Sequence, residues 1–211
     1  MNGKSWKRPR ASGEANDEPA LVLVRLTCVE IPRQPAVLLL TTTLVVFIGS
    51  LPFLITHNLG EAGKLVRDSS LAMMFLGRLL LEVTAACYAV SSEIRRGTAG
   101  AILSKPIGRM RFLAAKYLGV SVIMLTFSLM ATVAILISDR AAARAFQVGW
   151  GFLIPLFVAV ALAYLVAAGL NFFGGRPFAS TAFWCLLPAL LLAFVYTLFV
   201  TGAGTASVIA H

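Results

Sequence analysis

Charge is scarce in this sequence. Only 13% of its 211 residues are Asp, Glu, Lys or Arg, about half the usual share of a soluble domain. A soluble fold of this length could not cover its surface with so few. Cysteine is equally sparse: Cys28, Cys87 and Cys185 stand alone, with no CxxC and no Cys/His cluster, which gives zinc and redox chemistry little support. The two histidines, His57 and His211, lie far apart and have no carboxylate or cysteine cluster around them. There is no GxSxG and no HExxH, so an intramembrane hydrolase has no motif to stand on. A phosphate loop is missing too. Its nearest approach is Gly63-Lys64, where Leu65 replaces the required Ser or Thr and Asn58 replaces the first glycine. The chain is therefore expected to carry no ATPase of its own, no metal site and no cofactor site.

Apolar residues are what the chain has. They make up 59% of it, with a mean hydropathy of +0.87. They fall in runs close to 20 residues, the length of helix that crosses a ~30 Å hydrocarbon core. Inside such a core every backbone N–H and C=O must be bonded internally, so each run reads as a helix. The sequence predicts five spans, Ala36 to Thr56, Leu71 to Ser91, Phe112 to Ile137, Phe146 to Leu170 and Ala179 to Val200. The fold class expected is all-α, a polytopic transmembrane helical bundle. Residues 1–19 are polar and aperiodic and read as a disordered cytoplasmic tail. From Ala20 to Gln34, Leu21, Val24, Leu26, Cys28 and Ile31 are mixed with Arg25, Glu30 and Arg33. That pattern suits an amphipathic helix lying at the membrane surface, ended by Pro32 and Pro35. Trp150 and Trp184 fall near span ends, as aromatic interface anchors do.

The net charge of +9 is a matter of orientation and gives no sign of nucleic acid, since no soluble domain carries a basic and aromatic stripe. The N-terminal segment holds Lys4, Lys7, Arg8, Arg10, Arg25 and Arg33. The segment after span two holds Arg95, Arg96, Lys105, Arg109, Arg111 and Lys116, and Arg176 follows span four. The opposite side holds only Lys64, Arg67, Arg140 and Arg144. The positive-inside rule then places the N-terminus in the cytoplasm. One base, Arg78, falls inside span two. It stands four residues before Glu82, so the two share a helix face and can pair. Charges at such a depth usually face a bundle interior or an aqueous cavity. A substrate-path or gating pair and a pair that locks span two against a neighbour both fit.

The segment Glu93 to Lys116 reads EIRRGTAGAILSKPIGRMRFLAAK, one acid and six bases. On composition it could serve only to fix topology and hold anionic headgroups. Its order says more. Ile94, Thr98, Ala101 and Ile102 have the spacing of a helix with one apolar face, Ser104-Lys105-Pro106 breaks that helix, and Gly108 permits a turn. The succession Glu93, Gly97, Thr98, Leu103, Ser104, Lys105, Pro106, Arg109, Phe112, Leu113, Lys116, Tyr117, Leu118 and Gly119 resembles, without a gap, the signature of ABC-2-type ABC transporter permeases. The resemblance extends more loosely from Ala20 to about Val200. It includes the N-terminal elbow helix and the short loop Gly60-Glu61 to Arg67-Asp68.

The resemblance implies a membrane-spanning permease subunit, an exporter in the bacterial inner membrane. It also implies that the segment after span two is a coupling helix docked on a separate ATP-binding subunit, which holds the ATP and Mg. Glu93, Arg95, Arg96, Gly97, Thr98, Leu103, Ser104, Lys105, Pro106 and Arg109 would form that ATPase-coupling interface. Permease chains of this kind pair as homodimers or heterodimers. Two features depart from the family pattern. Gly108 stands where Ser is common, and five spans appear where six are usual. The second keeps a non-transporting accessory or assembly subunit, one that anchors an ATPase or another partner, as the alternative.

Overall fold

The computed structural model describes residues 18–55, 62–96, 109–142 and 150–209. Among them there is no strand, and six α-helices account for nearly all of these residues: α1 (Glu18–Glu30), α2 (Pro35–Leu54), α3 (Ala62–Arg96), α4 (Arg109–Ala142), α5 (Trp150–Gly174) and α6 (Phe178–Ile209). Five of them, α2 to α6, contain stretches long and apolar enough to cross a membrane. The chain is an all-α polytopic bundle, as its apolar runs require.

Several boundaries differ from those the sequence predicts, each for a local reason. α1 starts at Glu18, inside the expected tail, with Pro19 in its first turn, where a missing N–H leaves nothing unbonded. The rest of the tail lies outside the described residues. α3 continues past Ser91 to Arg96, because Ser, Glu, Ile and Arg contain no helix breaker and the polar residues need only emerge from the hydrocarbon. α4 begins at Arg109, three residues before the expected Phe112. After α1 the chain makes one 3₁₀ turn, Ile31–Arg33, with Pro32 inside it, and Pro35 opens α2. The two prolines thus end one helix and start the next, as expected.

Helix directions alternate. α2 and α5 run antiparallel, since the Thr42 and Tyr164 hydroxyls hydrogen-bond at 2.8 Å near one end and Gly49 packs on Leu156 further along. α5 and α6 form a hairpin closed at Gly175, whose φ of 60° is accessible to glycine at little cost. α4 is the centre. It buries 56% of its spanning window against 22% for α3, and it touches every other helix. Ile123, Phe127, Met130, Ala134 and Ile137 form its buried stripe, spaced as a helix face must be. Ser138 donates to the Ile48 carbonyl of α2 at 3.1 Å. Such polar contacts matter in a bilayer, where lipid tails are as apolar as leucine and give helices no hydrophobic reason to associate.

The first helix is held on α4 through one close crossing. Thr27 and Ile31 are buried, and the Cys28 thiol donates to the Gly119 carbonyl at 3.7 Å. Burial pushes that thiol's pKa up, so it keeps its proton as the donor. Val22, Leu26 and Val29 remain exposed on the other side. α1 therefore has apolar residues on two faces, rather than the single face the sequence predicts. A Cβ on Gly119 would come within 2.6 Å of the Thr27 Cβ, so only glycine lets α1 approach this closely. Gly119→Ala is expected to destabilise the fold by about 1–3 kcal/mol, the usual effect of overpacking, measured as a drop in thermal midpoint in detergent. Combined with Thr27→Gly, the loss should be smaller than the sum of the two single losses.

Candidate functional site

Two features of the sequence converge on the α3–α4 hairpin. Two contacts far apart fix the register of these helices. The Lys116 ammonium of α4 donates to the Ala89 carbonyl of α3 at 3.4 Å. Toward the other end, Arg67 and Asp139 form an ion pair at 2.9 Å. Together they make α3 and α4 an antiparallel pair in which Ser128 stands level with Arg78, and Met124 level with Glu82. The Arg67–Asp139 pair is largely solvent-exposed, so it contributes alignment more than stability.

The tip of this hairpin holds the basic segment. Glu93, Arg95 and Arg96 belong to the last turn of α3, and Arg109 is the first residue of α4. The expected coupling helix therefore does not begin as a separate element at Glu93, because its first turn continues span two. Gly97, Thr98, Leu103, Ser104, Lys105 and Pro106 lie outside the described residues. The last part of the motif, Lys116 to Gly119, is described and has structural duties. Lys116 ties α4 to α3, Tyr117 is exposed, and Gly119 receives α1.

The second feature is the charge pair. Arg78 Nε donates to Glu82 Oε1 at 3.2 Å, within α3. Both lie near the middle of the apolar stretch Gly63–Ala89. Their side chains are 48% and 45% exposed, so they point out of the bundle, and their ion pair joins no second helix of this chain. They line a groove of about 580 Å³ between α3 and α4, whose other wall includes Tyr117, Ser121, Met124, Leu125 and Ser128. Sequence reasoning missed Asp139, which pairs across 72 positions. It also missed the hydroxyl stripe Tyr117, Ser121, Ser128 and Thr132. The signal for the stripe was present: these spacings keep the four residues on one helix face.

Arg78→Leu is expected to leave Glu82 unpaired near mid-span, where a lone charge costs about 2.5–3.5 kcal/mol on insertion. The double variant Arg78→Leu/Glu82→Leu removes that charge as well. Quantified as membrane-inserted protein, the single variant should fall well below the double.

Searches among known proteins find no family model, no curated protein and no solved structure that matches the chain.

Proposed function

We propose that this chain is the membrane-spanning permease subunit of an ABC-2-type ABC transporter, working as an exporter in a bacterial inner membrane with its N-terminus in the cytoplasm. A separate ATP-binding subunit hydrolyses ATP. Two permease chains pair to form the path. The observation that carries the reading is the ungapped order of residue types from Glu93 to Gly119, set at the tip of the hairpin between the second and third membrane helices. The elbow helix α1 supports it, because α1 seats on Gly119, the last residue of the same motif.

The described parts of the bundle suit such a task. A force applied by a partner at residues 97–108 enters α3 and α4 directly. Lys116 and the Arg67–Asp139 pair tie those two helices together near both ends, so they move as a unit. α4 touches every other helix, so its displacement reaches the whole bundle through packed side chains rather than through one wire. Arg95, Arg96 and Arg109 give the tip positive charge, which would set docking register and rate against acidic residues of the partner.

Cysteines placed at Gly100 and Ser104 test this reading. In native membranes, both should form crosslinks to an ATP-binding subunit. Crosslinks that never reach an ATP-binding subunit overturn the proposal.

A further inference from the structure

The outward surface of the spans is apolar almost throughout. Leu79, Leu80 and Val83 of α3 and Leu162, Leu165 and Val166 of α5 are exposed, as lipid contact allows. The other large groove, about 620 Å³ between α5 and α6, is walled by side chains such as Leu162, Val166 and Leu192 and asks for nothing beyond lipid tails. The α3–α4 face is different. Arg78 and Glu82 sit on it near mid-span, and Tyr117, Ser121, Ser128 and Thr132 run beside them along α4.

The hydrogen-bonding capacity of this face is largely unused. A guanidinium offers five N–H donors and a carboxylate two oxygens, and the pair is joined by a single Nε–Oε1 bond. Exposed charges in hydrocarbon are costly. Whatever covers Arg78 and Glu82 must supply both acceptors and donors, and it must be electrically neutral overall, because the pair is.

A second copy of the same patch meets all three conditions. Under a two-fold axis each residue i meets j while j meets i. The free guanidinium nitrogens of Arg78 would then bond Glu82 of the second copy, and the reverse, closing a neutral ring of four charges. In two copies inserted the same way, the two arginines lie at one depth and the two glutamates one helical turn away, about 6 Å, within reach of an arginine side chain. Ala86, Ser121 and Ser128 are small, and small residues let helices approach closely in a bilayer. Leu125, 63% exposed between the serines, interrupts the hydroxyls. That suits a helix contact better than a continuous water path.

We infer that the outer face of α3 and α4 is the contact surface between two copies of this chain, held by Arg78 and Glu82 paired reciprocally across a two-fold axis. The inference rests on the pairing of two copies in the proposed function and adds the surface that does it.

Two chains with different affinity tags, Arg78→Glu in one and Glu82→Arg in the other, provide the test. Each variant expressed under both tags should lose self-association at least tenfold, measured by co-purification from mild detergent. The two variants expressed together should recover it, since acids of one face bases of the other. Self-association like wild type in each variant alone, or no recovery in the mixture, overturns the inference. If a variant fails to insert, Leu125→Cys in an otherwise cysteine-free chain replaces it. That position should give a disulfide dimer in membranes, and Leu165→Cys on α5 should not. No dimer at position 125, together with labelling there by a membrane-impermeant thiol reagent, would mean a water path and sink the inference. Dimer crosslinks at 125 without ATPase crosslinks at Gly100 and Ser104 would leave this surface standing and remove the transporter reading. The opposite pattern would remove only this surface.

Discussion

A bilayer interior offers no hydrogen-bond partners, and the rest of this structure follows from that constraint. The backbone answers it with helices, and the hydroxyls answer it in the same way. Thr42, Ser50, Ser70, Thr126 and Thr132 each donate to a carbonyl four residues earlier in their own helix. With most polar groups satisfied inside each helix, few remain to join one helix to another. The Thr42–Tyr164 and Ser138–Ile48 bonds and the close crossing at Gly119 are among those few, and they set how the helices lie.

The same constraint makes the exceptions informative. A charge turned out of the bundle keeps donors or acceptors for another partner even when a neighbour in its own helix takes one of them. Arg78 and Glu82 form such a pair on one face of one hairpin. That hairpin also carries the basic tip. The tip and the polar face thus share a pair of helices whose register is fixed near both ends, and α4, one of the pair, is the helix on which all the others pack. A partner at the tip and a second copy along the face would act on the same central element.

Much of the architecture was legible in the sequence because it depends on composition over long windows. Five apolar runs became five helices of spanning length, and Pro32 and Pro35 mark the turn between α1 and α2. Helix ends were less legible. Nothing in Ser91 to Arg96 stops a helix, so α3 runs further than hydropathy alone implies. Contacts between distant positions were not legible at all. Arg67 reads as one more base beside the membrane, and only the antiparallel packing of α3 on α4 brings Asp139 to it. The spacing of Arg78 and Glu82 shows that they share a face, but not that the face points outward, since this depends on which side of α3 meets α2 and α4. Gly119 was legible as part of a motif, and its physical role became visible only with Thr27 placed against it.

The hairpin tip is the place we propose for docking of an ATP-binding subunit. The most direct measurement is a pull-down from native membranes with the tagged full chain, beside a second chain in which residues 97–108 are replaced by a Gly/Ser linker of equal length. The expected result is an ATP-binding cassette protein recovered in near one-to-one amount with the first chain and absent with the second. Recovery of no such protein with the unaltered chain, or equal recovery with both, would contradict the account.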